Sequence, residues 1–236
     1  MIQTHGLEEA EFRPSGLFPT AFAARALAGA GIVVLQVNDD HCITVNPAEG
    51  PCAVSGYEAA ANQLISEGLV NPEKIGMVGF SRTCFYVMEA LTNGSLHLKA
   101  ASITAGFMED YFGYMLTEVA ATEVAANEAN SMIGEPPFGE GLQQWLKRSP
   151  GFQLDKITAP LLVVGGGRPS LLGMWGPYAG LRYLRKPVDL MMLNAEEHVL
   201  SNPAARMASQ GGTVDWFRFW LQDYEDPDPA KQAAEK

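Results

Sequence analysis

Apolar residues fall into short blocks separated by longer stretches in which they recur every three or four positions. The densest block is residues 31–37, almost wholly apolar and rich in β-branched side chains. It predicts a strand buried on both faces of a parallel sheet. Similar blocks at residues 2–4, 75–78, 98–104, 160–164 and 187–193 predict further strands, each too short for a helix. Between them the spacing is helical. Ala23, Ala26 and Leu27 share one face of a helix that Thr20 can cap and Gly29 can end. Ser55 and Glu58 stand at capping-box spacing before Ala60, Leu64 and Ile65. Phe85, Met88 and Leu91 predict a helix over residues 82–91, stopped by Asn93 and Gly94. An Ala-rich helix is expected over residues 116–130, followed by a loop at residues 134–138. Another is expected over residues 170–184, interrupted by Pro177. Thr213 can cap a final helix with Val214, Phe217, Trp220 and Leu221 facing inward.

Strands alternating with helices predict an α/β fold, a mostly parallel central sheet with helices on both faces. One domain over residues 1–222 accommodates them, with a polar tail at residues 223–236. Residues 107–151 form the least regular stretch, an insertion that could cover a site as a lid or serve packing alone.

Composition narrows the classes of function. The net charge of −11 argues against a nucleic-acid partner or an anionic membrane surface. Seven acids and no Lys or Arg lie between residues 109 and 146, which reads as a solvated face. No apolar run has membrane-spanning length and no signal-peptide pattern opens the chain, so a cytoplasmic protein is the expectation. The three cysteines, Cys42, Cys52 and Cys84, have no metal spacing, and no metal or cofactor is implied. Cys42 and Cys52 could pair in an oxidising compartment. The apolar final helix is compatible with a homo-oligomer and equally with core packing.

The chemistry concentrates at Gly79-Phe80-Ser81, between a predicted strand and a predicted helix. A serine at such a corner has the form of a nucleophile elbow. The helix N-terminus behind it offers N–H groups to a developing oxyanion. Thr83 stands where the usual pattern has a second glycine, and Ser81 could alternatively be a helix cap. A serine needs a base. His198, in the loop after the last predicted strand, is the best placed of the four histidines. The Arg82 N–H and the backbone at Gly6, after the first strand, are the candidate oxyanion donors. An acid to orient the base is expected after the strand at residues 160–164, but that loop contains none. Asp110, beside Glu109 after the preceding strand, is the substitute; a serine–histidine dyad is the other option. Glu196 and Glu197 stand too near His198 in sequence to reach around it easily.

These residues resemble a family. Gly79 to Arg82, the stretch 157–164, the stretch 186–190, Glu197-His198 and the helix at 215–221 look like the catalytic domain of prolyl-oligopeptidase-type serine hydrolases. Residues 216–229 look most like the lasso-peptide isopeptidase branch. The resemblance implies an α/β-hydrolase fold with Ser81 as nucleophile and His198 as base. It also implies an N-terminal β-propeller and earlier strands in most members, whereas this chain begins at what resembles the third strand. The expected function is a serine hydrolase acting on an ester, amide or (iso)peptide bond of a small-molecule or peptide substrate. The competing expectation is a hydrolase-fold binding protein lacking a complete triad.

Overall fold

The computed structural model describes residues 1–5, 18–37, 42–106, 110–120 and 123–228. Six strands form one parallel sheet in the order β2-β1-β3-β4-β5-β6. They are β1 (Ile2–Gln3), β2 (Leu35–Gln36), β3 (Ile75–Phe80), β4 (Leu98–Thr104), β5 (Leu161–Gly166) and β6 (Val188–Leu193). The helices are α1 (Ala24–Gly29), α2 (Glu49–Ser66), α3 (Thr83–Asn93), α4 (Tyr111–Ala120), α5 (Glu123–Ile133), α6 (Leu142–Arg148), α7 (Gly167–Tyr183) and α8 (Pro203–Gln222).

Strand alternation sorts the core into two layers. Val78, Phe80 and Ala100 pack against Leu27 of α1 and against Phe217 and Leu221 of α8. Met77, Ala101 and Ile103 point the other way, onto Tyr57 and Ala61 of α2 and Val87 and Met88 of α3. Every residue of β3 is buried, which is why its sequence is continuously apolar or glycine. The carboxyl ends of β1, β3 and β4 meet along one edge. There His5, Ser81 and Ala105 all take left-handed backbone angles, with φ of 54°, 54° and 50°.

Several expectations need correction. Residues 31–37 are not a strand buried on both faces. Only Leu35 and Gln36 pair, with β1, and both are half-buried. Among the described residues β2 is an edge strand, so apolar content there reflects side-chain packing rather than two strand neighbours. Thr20 does not cap α1; its hydroxyl accepts the Leu200 N–H at 2.9 Å. Ser55 and Glu58 lie inside α2, which begins at Glu49. The Glu58 carboxylate instead receives the N–H of Leu96 at 3.1 Å, before β4. The helix expected at residues 116–130 falls within α4 and α5, which lie on either side of residues 121–122, outside the described residues. Pro177 does not interrupt α7, and α8 begins well before Thr213. Asn202 caps α8 by accepting the Ala204 N–H at 2.9 Å, and Pro203 takes the first helical position.

Candidate active site

The elbow is built from close approaches. A Cβ on Gly79 would lie 2.7 Å from the Thr83 carbonyl oxygen and 2.8 Å from Val87 Cγ2, so only glycine lets α3 start this near β3. A Cβ on Gly106 would lie 2.9 Å from the Ser81 carbonyl oxygen. Ser81 is held on both sides. Its N–H donates to the Thr104 carbonyl at 3.0 Å, and its carbonyl accepts the Cys84 N–H at 3.1 Å. These bonds sustain a φ of 54°, a conformation that costs a non-glycine residue on the order of 1–3 kcal/mol. Cys84 behind the corner is fully buried; desolvation pushes its thiol up to about 12, so it is not a competing nucleophile.

Thr83 has its own part in the corner. Its hydroxyl accepts the Phe80 N–H at 3.0 Å and pairs with the Thr4 hydroxyl at 2.6 Å. The side chain that replaces the usual glycine thus ties α3 to the end of β1. Thr83→Val leaves the buried Phe80 N–H without this acceptor. We expect it to lower stability by about 1–3 kcal/mol in urea titrations, whereas Thr83→Ser, which keeps the hydroxyl, should retain most of the wild-type stability.

His198 reaches the elbow from the loop after β6. Its Nε2 lies 2.8 Å from Ser81 Oγ. The ring stacks on Phe80, with centroids 4.9 Å apart and planes 27° apart. The residue is solvent-accessible, but this covering of the ring disfavours the imidazolium and holds the His198 pKa below its ordinary value. Thr20 anchors the loop through Leu200. Glu197 anchors it through the Ser201 N–H and hydroxyl, both at 2.8 Å, and these bonds hold its carboxyl below the ordinary range.

The other candidates are placed differently. Arg82 directs its side chain away from Ser81. Its Nε and Nη2 donate to the two oxygens of Glu49 at 2.7 and 2.6 Å, and its Nη1 donates to Glu128 of α5. Glu49 is fully buried and also accepts the Tyr86 hydroxyl at 2.6 Å and the Val45 N–H. Burial alone would raise the Glu49 pKa; bonds from Arg82, Tyr86 and Val45 and the Arg82 charge outweigh it and hold it below its ordinary value. Asp110 stands at the start of α4. Its Oδ1 accepts the Gly113 N–H at 2.6 Å and its Oδ2 faces Gly176 of α7. Burial raises its pKa against the opposing bonds from Gly113 and Phe112. No hydrogen bond joins Asp110 to His198, nor, among the described residues, does one join any carboxylate to His198. Gly6 and Glu109 lie outside the described residues. His5, next to Gly6, backs the corner through a 3.1 Å contact between its Nε2 and the Phe80 carbonyl.

A prolyl oligopeptidase family model matches residues 48–223, three quarters of the chain, elbow and His198 loop included. The chain belongs to that family. The lasso peptide isopeptidase AtxE2 of Asticcacaulis excentricus is 30% identical over 179 residues, which cover 75% of this chain and 24% of that protein. The chain thus spans about a quarter of the length of this curated relative. The solved apo structure of AtxE2 isopeptidase superposes with a TM-score of 0.73 at 23% identity, over 98% of this chain and 37% of that one. Acylaminoacyl peptidase of Pyrococcus horikoshii superposes with a TM-score of 0.69 at 21% identity, over 100% and 39%. The fold is thus that of the α/β-hydrolase peptidases.

Sequence reasoning missed the Glu49–Arg82–Tyr86 cluster. The signal was an acid one position before Gly50-Pro51, a helix start, but nothing local marks Arg82 as its partner 33 residues on. The Cys42–Cys52 pairing, left open by the sequence, is formed, with Cα atoms 5.8 Å apart. Among the described residues no helix is long and apolar enough to cross a membrane.

Proposed function

We propose that this chain is the catalytic part of a serine hydrolase that cleaves an amide, isopeptide or ester bond through an acyl-enzyme on Ser81. The observation that carries the reading is the 2.8 Å approach of His198 Nε2 to Ser81 Oγ at a corner with left-handed backbone angles. In this mechanism neutral His198 takes the Ser81 proton as Oγ attacks the carbonyl carbon. The Arg82 N–H, at the N-terminal end of α3, and the backbone at Gly6 receive the oxyanion. Imidazolium His198 protonates the leaving amine or alkoxide, leaving acyl-Ser81. Water, deprotonated by His198, then releases the acid.

The curated relative's name supports a peptide substrate, and an isopeptide bond within that class. The ion pair between Arg82 and Glu128 fastens α5 beside the residue that follows Ser81, which supports residues 107–151 as a cover for the site. The Cys42–Cys52 disulfide supports an oxidising compartment over the cytoplasm.

A second reading, a ligand-binding protein on a hydrolase fold, is favoured by one observation: no carboxylate among the described residues bonds to His198. A fluorophosphonate probe separates the two. The expected outcome is one covalent adduct, mapped by mass spectrometry to the peptide carrying Ser81. Folded protein that stays unmodified would overturn the hydrolase reading and leave the binding protein.

A further inference from the structure

Beside His198, at the carboxyl ends of β4 and β5, lies a cavity of about 130 Å³. Thr104, Gly106, Gly166, Ser170, Glu196 and His198 are among its lining residues. Two hydroxyls in its wall, Thr104 Oγ1 and Ser170 Oγ, are buried and have no hydrogen-bond partner in the protein. Thr104 is 1% exposed, so this is a polar group deep in the fold that faces a cavity large enough for water. At ~30 Å³ per molecule a space of that volume has room for about four. Buried hydroxyls left unsatisfied are costly, and water in a polar cavity is the ordinary remedy.

The carboxylate on this cavity that can answer His198 is Glu196. Its side chain folds against the start of α7: a Cβ on Gly167 would lie 3.1 Å from Glu196 Cγ. The stretch 165–170, the end of β5 and the first turn of α7, is where the sequence predicts an orienting acid and contains none. The neighbouring acids are committed elsewhere, Glu197 to Ser201 and Asp110 to the start of α4.

We propose that Glu196 is the positioning residue for His198, acting across this cavity through water held by the Thr104 and Ser170 hydroxyls. The water chain receives the second ring N–H of His198 and fixes the tautomer that leaves Nε2 free to accept from Ser81. The Glu196 charge stabilises the imidazolium formed during acylation. The inference rests on the hydrolase reading above for its catalytic consequence, though not for its structural part. Around His198, Glu196 and Glu197 come from its own loop. Arg206 of α8 lies behind that loop, donating to the Leu200 carbonyl, and His5 lies beyond Phe80. The lining from β4, β5 and α7 contributes hydroxyls and backbone but no charge.

The test pairs a titration with a rate. NMR follows the His198 imidazole in the wild type and in Glu196→Gln, with the resonance assigned by its loss in His198→Ala. Removing the facing charge is expected to lower the His198 midpoint by roughly half to one pH unit. Fluorophosphonate labelling by Glu196→Gln is expected to slow by about 10–100-fold, with its acid limb moved to lower pH. Thr104→Val is expected to slow labelling too, and the double variant should be no slower than the slower single one, because both act through one water chain. An unmoved His198 midpoint in Glu196→Gln would overturn the inference whatever the activity. Absence of labelling in every protein, with the midpoint moved, would instead strike the hydrolase reading and leave the Glu196–His198 coupling standing.

Discussion

Replacing His198 by alanine is expected to reduce ester or amide turnover by about 10⁴–10⁶-fold, the scale on which a serine loses its general base. The distance of 2.8 Å between Nε2 and Ser81 Oγ is the reason for so large an effect. At neutral pH a serine hydroxyl is not an effective nucleophile, and it cannot lose its proton in the transition state without an acceptor in reach. Among the described residues no other histidine bonds to Ser81: His5 is engaged with the Phe80 carbonyl. The wild type should lose activity on the acid side as His198 takes up a proton. Because partial burial holds the His198 pKa down, the midpoint of that limb should lie below the ordinary value of about 6.5. The check is kcat/KM for a small activated ester across pH 5–9, about the range in which histidine changes charge. Residual turnover by His198→Ala should lack the acid limb. An alanine variant within tenfold of wild type would show that His198 is not the base.

Much of this site was legible because parallel α/β sheets place function at strand ends, and strand ends are marked in sequence by where apolar blocks stop. The block at residues 75–78 ends three positions before Ser81 and the block at residues 187–193 ends five positions before His198. Those two ends are three strand positions apart in the sheet, with β4 and β5 between them, and the loop after β6 bridges the gap. Spacing alone could not show that bridge, but strand order in a right-handed α/β sheet makes it reachable.

What remained hidden has a common physical cause: partners far apart in sequence. Thr4 and Thr83 are separated by 79 residues, and only the pairing of β1 with β3 brings them together. The block at residues 31–37 misled for a related reason. Apolar content reports that a segment packs against something, whereas strand pairing depends on which neighbours the sheet supplies, and β2 has β1 alone among the described residues. Thr20, Ser55 and Thr213 each carried a plausible local capping signal. Long-range bonds or a better cap nearby prevailed, as with Asn202 and Pro203 at α8. Glu196 is the reverse case: nearness to His198 in sequence argued against it, and only the shape of the cavity between them makes the two residues partners.

Replacing Glu49 by alanine is expected to cost about 3 kcal/mol of stability, near the lower end of the range for breaking a buried ion pair. Glu49 is fully buried, and its two oxygens hold Arg82 bidentately, the Tyr86 hydroxyl and the Val45 N–H. Alanine would strand a half-buried guanidinium, a buried phenol and a backbone donor at once. Glu128 remains as a partner for Arg82, which keeps the loss from reaching the upper end. For a domain of this length the corresponding fall in Tm is roughly 6–12 °C. The pH dependence has a definite sign. The Glu49 carboxyl titrates below its ordinary value in the folded protein, so the charged form contributes stability above the unfolded-state pKa of about 4.3. That contribution is lost as pH falls through the folded value. The difference between wild type and Glu49→Gln should therefore be full at neutral pH and shrink below about pH 4.3. Because Arg82 follows Ser81 directly, the alanine variant should also slow fluorophosphonate labelling at temperatures where it is still folded. Misplacing a reacting group by about 1 Å can cost on the order of 10²-fold. An alanine variant that melts with the wild type would mean that Arg82 and Tyr86 find water instead, and that the cluster does not hold the elbow.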